Sequence, residues 1–393
     1  MTPLVFPPEG AQRVPVVAWS SALSAATLRQ LRRLASEPYV VDRVAAMPDA
    51  HVAEGVAVGT VFATEDEVVP AALGGDLGCG VAALRFEAGA SSLSRRDRER
   101  LLGALASAVP VGDACQPGRG RPLPDSLASA PLSTKALERQ RDTLAPRHVG
   151  TLGGGNHFLE LDRDAGGSLW LLVHTGSRGM GAAVRAHHGR AAEAAGGGTR
   201  GGEAGGLSAL SLREGAGAAY LADLGWALAF ARENRRLLMH TASAVVAELF
   251  GLEPDAASFI DVHHNYVEAE MHENRTLLVH RKGAVSAREG ASVLVPGSMG
   301  TASYVARGLG NRLAFASCPH GAGRALSRTE ARRALKPADL RRAMGRVAYD
   351  ERRAGSLIEE APQAYRPIGE VLDDGSELIE PVLRLEPLAV LKG

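Results

Sequence analysis

The chain has 393 residues, 45% hydrophobic and 22% charged, the composition of a globular protein long enough for one large domain or two ordinary ones. Its 44 basic residues are matched by 44 acidic ones, which excludes a protein that coats nucleic acid by net charge but leaves room for a locally basic site. No run approaches the roughly 18 apolar residues of a membrane helix, and the N-terminus lacks a charged-then-apolar secretory pattern, so no membrane partner and a cytoplasmic location are expected. Three cysteines (Cys79, Cys115 and Cys318) are too few and too odd for a disulfide framework and fit a reducing compartment.

Along the chain, Leu23, Leu28, Leu31 and Leu34 recur near helical spacing and predict a helix over 21–36. Short strands are expected at 56–63 and 81–86 around a glycine-rich turn, then a helix at 94–108. Segment 109–134 is rich in Pro, Gly, Ser and Ala and reads as a flexible surface loop. An apolar strand at 169–174 ends in a histidine, and the Gly-rich stretch 195–206 reads as a second flexible loop. A long helix over about 217–252 precedes three short strands at 260–263, 276–280 and 292–295. Residues 324–353 carry ten Arg or Lys against four Asp or Glu. Such a block is more often a solvated face than a track for RNA. The absence of a fixed-period repeat argues against solenoids and propellers.

Six of the twelve histidines lie in short motifs flanked by Gly, Asn, Asp or Ser: MPDAH (47–51), GGGNHF (153–158), LVHTGSRG (172–179), DVHHN (261–265) and CPHGAGR (318–324). Tight loops at strand ends can turn such rings toward one point, whereas structural histidines lie mostly within apolar periodic segments. GGDLGCG (74–80) adds Asp76 and Cys79, three residues apart in a glycine-lined turn. With His157, His174 and His264 the set offers O, N and S donors, which suits one or two divalent transition metals better than a closed four-ligand structural zinc. Cys115 and Cys318 are not expected among the ligands.

Four further segments suit phosphate oxygens: TLGGGNHFLE (151–160), HRKGA (280–284), PGSMGTAS (296–303) and HGAGR (320–324). Each is weak alone, because glycine-rich loops are mostly turns. His320 is the candidate nucleophile, since an imidazole nitrogen can attack the α-phosphorus of a nucleoside triphosphate while Arg324 or a metal supplies charge.

In motif order, MPDAH, GGDLGCG, GGGNHFLEL, HTGSRGMG, HHNYVEAE, HRKGA, PGSMGTASYV, HGAGR and a terminal LKG resemble the RtcB family of RNA ligases from residue 47 to the end. The resemblance implies an α/β (α+β) fold, a single unit over 1–393 with central packed sheets flanked by helices. It implies Mn²⁺, two ions bridged by Cys79, with Asp76, His157, His174 and His264 completing the ligands. GTP is the implied nucleotide, with His320 taking GMP. The guanylate pocket implied is Asn156, His157, Phe158, Leu159, Glu160, His264, Asn265, Pro296, Gly297, Ser298, Met299, Ser303, Gly321, Ala322, Gly323 and Lys392, with Glu160 reading guanine and Tyr365 near the base. Arg178, Lys282 and Arg324 are implied to meet RNA or triphosphate phosphates.

The reaction implied opens a 2′,3′-cyclic phosphate, activates the 3′-phosphate as RNA(3′)pp(5′)G and joins it to a 5′-hydroxyl, in RNA repair or tRNA splicing. An archease-type activator or a release-factor-like repair protein is the partner implied beside the RNA. Two departures stand out: the family's H-x-G-x-G reads His51-Val52-Ala53-Glu54-Gly55 here, and the middle of the chain is short. The alternative function is a Mn²⁺-dependent cyclic phosphodiesterase or phosphatase that does not ligate, which would need the metal ligands but not His320. A non-catalytic RNA binder finds little support in an aromatic content of only 4%.

Overall fold

The computed structural model describes residues 1–87, 93–196 and 207–393. Two large sheets organise it. One has six strands, in the order Leu4–Phe6, Val16–Ala18, Val41–His51, Val58–Thr64, Arg275–Lys282 and Asn265–His272. The other has seven, in the order Pro254–His263, Gly80–Phe86, Leu169–Thr175, Phe158–Asp164, Ile379–Lys392, Ser303–Gly308 and Ser292–Val295. Every pairing is antiparallel except that of Val16–Ala18 with Val41–His51. This is the mixed α/β architecture expected from the sequence.

Two-residue alternation sends successive side chains to opposite faces and so sets up the layers. Met47, Val61 and Val279 of the first sheet join Val293, Val295 and Ile379 of the second in one buried cluster. The opposite face of the six-stranded sheet, with Val44, Ala46 and Phe62, packs on Leu31 and Leu34 of helix Ala25–Leu34. The outer face of the seven-stranded sheet, with Leu84, Leu159, Leu161 and Leu171, packs on Leu101 and Leu105 of helix Arg95–Ala108 and on Leu238 and Met239 of helix Ala216–Phe250. Helices thus cover the outsides and the sheets meet within.

Helix starts follow local chemistry: Ser24 and Ser94 each accept a backbone N–H from the first turn, and Ser94 completes a reciprocal pair with Asp97. The 35-residue helix Ala216–Phe250 runs between Gly215 and Gly251, both at positive φ. Segment 109–134 contains the short helix Asp125–Ala128 and is tied to the rest by Gln116, whose Nε2 donates to Val149 O and Gly150 O at 3.0 Å each. The expected loop at 195–206 lies, from 197 on, outside the described residues. Among the described residues no helix is long and apolar enough to cross a membrane.

Candidate active site

Strand register gathers the candidate metal ligands. His174 is the penultimate residue of strand Leu169–Thr175, opposite Val81 on one side and Phe158 on the other. His157 directly precedes strand Phe158–Asp164, and His264 sits at the corner between Pro254–His263 and Asn265–His272. The GGDLGCG turn enters the same end: Gly74 and Gly78 have φ of 75° and 74°, and Cys79 N donates to Asp76 O at 3.1 Å, which leaves both side chains free to face the histidines.

The ligand atoms converge. His157 Nε2 lies 3.0 Å from Asp76 Oδ2 and 3.6 Å from Cys79 Sγ; His174 Nε2 lies 3.3 Å from Cys79 Sγ and 3.4 Å from His264 Nε2. Two groups result, Asp76–Cys79–His157 and Cys79–His174–His264, each with its donor atoms within 4.8 Å of one another and sharing only Cys79. His157 Nδ1 is 3.0 Å from Leu152 O and His174 Nδ1 is 3.2 Å from Asn156 O. A carbonyl only accepts, so these contacts place the proton on Nδ1 and leave the Nε2 lone pairs facing the cluster.

Electrostatics agree. Burial, then His157 and His320, holds His174 well below the ordinary imidazole range, and burial, then His320 and His174, does the same for His264. Burial opposes ionisation of Asp76, but its neighbours His157 and then Cys79 hold its carboxyl below the usual range. Burial and the Asp76 charge push the Cys79 thiol well up. Neutral imidazoles at His174 and His264, beside an ionised carboxylate and a thiol that a cation would deprotonate, fit a divalent metal centre.

His320 follows strand Ser317–Pro319, which pairs with Ala284–Ser286. Its ring centroid is 4.9 Å from that of His264. Its Nδ1 lies 2.6 Å from Asp49 Oδ2, close but off the direction of a linear hydrogen bond, while its backbone N–H donates to the same oxygen at 3.1 Å. Gly283, at φ 62°, leaves room for the ring: a Cβ there would sit 3.2 Å from His320 Cε1 and 2.3 Å from Val58 Cγ1.

A cavity of about 300 Å³ opens over these residues. Its walls include Asp76, Cys79, His174, His264 and His320, together with Asn156, Phe158, Glu160, Asn265, Lys282, Pro296, Gly297, Ser298, Met299, Gly321, Ala322, Gly323, Arg324, Tyr365 and Lys392. His157 stands just behind Asp76 and Cys79. Glu160 and Phe158 reach the cavity because they alternate with Leu159, and for the same reason Leu159 does not: its side chain is fully buried in the core on the far face of the sheet. Ser303 is buried behind the wall, where its Oγ accepts from Gly297 N at 3.2 Å. Arg178 lies against Gly153, with Nε 3.4 Å from Thr151 Oγ1, and is not part of the cavity wall.

Two of the expected phosphate-binding cations are already engaged. Lys282 Nζ donates to Glu54 O at 2.7 Å and Val56 O at 2.6 Å, and burial, with Arg185 nearby, lowers it to about 8. Arg324 donates to Glu360 Oε1 at 3.2 Å, Glu359 O at 2.6 Å and Leu326 O at 3.0 Å. Glu360 was not anticipated: it also takes Lys392 Nζ at 3.2 Å and the Tyr365 hydroxyl at 2.5 Å. Asp49 was missed although MPDAH contains it; burial inside a strand, not sequence pattern, brings it to His320. His51 and Arg328 also line the cavity.

The sequence pattern of the family described as tRNA-splicing ligase RtcB matches residues 30–130 and 124–393. The chain belongs to the RtcB family. It is 35% identical over 410 residues to RNA-splicing ligase RtcB1 of Escherichia coli, covering 97% of this chain and 98% of that protein. The RNA-splicing ligase RtcB of Mycobacterium bovis is 33% identical over 444 residues, covering 93% of this chain and all of its own. RtcB2 of Escherichia coli is 31% identical over 396 residues. In the altered first motif, two residues after the cavity-lining His51, the Ala53 carbonyl accepts from Gln30 Nε2 at 2.7 Å and ties that loop to helix Ala25–Leu34.

Proposed function

We propose that the chain is an RNA ligase that activates a 3′-phosphate end with GMP carried on His320 and joins it to a 5′-hydroxyl end. The observation that carries this reading is the meeting, in one cavity, of a candidate nucleophilic histidine, a divided O/N/S donor set and a buried carboxylate–lysine wall. Residues from Asp49 to Lys392 supply it, which supports one catalytic unit over the chain.

Asp76, Cys79 and His157 would hold one Mn²⁺ ion and Cys79, His174 and His264 a second. Bound there, the metal would offset charge that develops on phosphate oxygens. Asp49 orients the His320 ring and favours a proton on Nδ1, leaving Nε2 as the attacking atom. Nε2 forms a bond to the α-phosphorus of GTP as the α–β phosphoanhydride breaks and pyrophosphate leaves. An oxygen of the RNA 3′-phosphate then takes the GMP, breaking the N–P bond and returning His320. Attack by the 5′-hydroxyl on the 3′-phosphorus finally expels GMP. Glu160, once ionised, can accept from guanine N1–H and the exocyclic amine together, and the glycines of HGAGR keep the backbone open to phosphate oxygens.

The test is to incubate the protein with Mn²⁺, GTP and two RNAs ending in a 2′,3′-cyclic phosphate and a 5′-hydroxyl. A joined RNA is expected. Opening of the cyclic phosphate without joining would overturn the ligase reading in favour of the phosphodiesterase.

A further inference from the structure

The residues that carry the candidate metal ligands come from four separate segments, and something must hold those segments in register. Two neighbouring side chains of helix Ala216–Phe250 reach all four: Asn234 and Arg235, both fully buried and neither on the cavity wall. Asn234 Oδ1 accepts from Gly150 N at 2.7 Å and Thr151 N at 3.2 Å, and its Nδ2 donates to Thr151 O at 3.1 Å, fixing the loop that leads to His157. The same Nδ2 lies 3.4 Å from Thr175 Oγ1 and 3.3 Å from Gly176 O, directly after His174.

Arg235 continues the pattern. Its Nη1 donates to Gly78 O at 2.9 Å, one residue before Cys79, and to Thr175 O at 3.1 Å. Its Nε donates to Asp261 Oδ1 at 2.6 Å and its Nη2 lies 3.2 Å from His263 Nδ1, beside His264. Gly80 completes the fit, since a Cβ there would stand 3.0 Å from Arg235 Nη1. A planar guanidinium presents its donors in a fixed fork, so it sets relative positions that a single ammonium cannot.

We infer that Asn234 and Arg235 are positioning residues that set the spacing of the Asp76–Cys79–His157–His174–His264 donor set. The inference rests on reading that set as a metal centre. Residues behind metal ligands characteristically govern affinity by about 10- to 100-fold.

The test titrates Co²⁺ into the full chain, reading the thiolate-to-cobalt absorption alongside thermal unfolding. Arg235→Lys keeps the charge facing Asp261 but loses the fork; Asn234→Ser is too short to span Gly150 and Thr175. Each is expected to weaken Co²⁺ binding by about 10- to 100-fold. Asp261→Asn removes the charge of the ion pair but keeps a side-chain oxygen to accept from Arg235 Nε, so the geometry is retained; it should lower the unfolding temperature and keep wild-type affinity. If Arg235→Lys fails to fold, Asn234→Ser carries the same comparison. Unchanged affinity in the variants would overturn the inference alone, as would affinity that merely tracks unfolding temperature across all three. No cobalt absorption with the wild type would overturn the metal reading and the inference with it.

Discussion

Glu160 and Asp162 project from the same face of strand Phe158–Asp164, both buried, and neither oxygen of Asp162 has a hydrogen-bond donor among the described residues. Burial pushes Asp162 from 3.8 up to about 7, and burial together with Asp162 pushes Glu160 well up. The folded protein therefore holds a proton between about pH 4 and pH 7 that the unfolded chain has released. Stability from this pair is present at low pH and is lost as pH rises through that window. At ~1.4 kcal/mol per decade, the loss by pH 8 is on the order of 2–4 kcal/mol. Asp162→Asn removes the second carboxyl and offers Glu160 an amide donor. In urea unfolding from pH 4.5 to 8, the wild type should weaken with rising pH more steeply than the variant. At pH 8 the variant should be more stable by roughly 2–4 kcal/mol. A flat wild-type profile, or a variant less stable at pH 8, would refute the retained proton.

Cys79 alone belongs to both donor groups, so Cys79→Ala should weaken binding at both, measured by calorimetric Mn²⁺ titration. Asp49→Asn should leave the fold intact and slow nucleotidyl transfer to His320 by about 100-fold or more, read in single-turnover guanylylation. Glu160→Gln should weaken GTP binding by about 10-fold or more, with ATP little affected, because the amide cannot accept twice from the guanine edge.

Much of the fold was legible because period and punctuation agreed with it. Expected strands at 56–63, 81–86 and 169–174 correspond to Val58–Thr64, Gly80–Phe86 and Leu169–Thr175, and the expected long helix to Ala216–Phe250. Strand Ile379–Lys392 was hidden by Pro381 and Pro387. Pro387 falls at its register shift against Phe158–Asp164, and Pro381 faces Ala306 beside the shift in Ser303–Gly308, where a ladder tolerates a missing donor. Helix Lys135–His148 was hidden by its weak apolar face and by Pro146 near its end.

The clustering of these donors could be read because Asp76, Cys79, His157 and His264 lie in turns or corners and His174 near a strand end, beside glycines and histidines visible locally. What surrounds the set could not. Arg324 looked free for phosphate, yet Glu359 and Glu360, some 35 residues on, occupy its guanidinium. Asn234 and Arg235 lie in the middle of a helix whose sequence gives no reason to single them out, and only the packing of that helix on the seven-stranded sheet brings them behind the ligands.

A covalent bond between GMP and His320 is the most direct consequence of the proposed mechanism. Incubated with Mn²⁺ and GTP labelled at the α-phosphate, the wild-type protein should acquire acid-labile, base-stable label, and His320→Ala should acquire none. An unlabelled wild type, or undiminished label on the His320→Ala protein, would contradict the account.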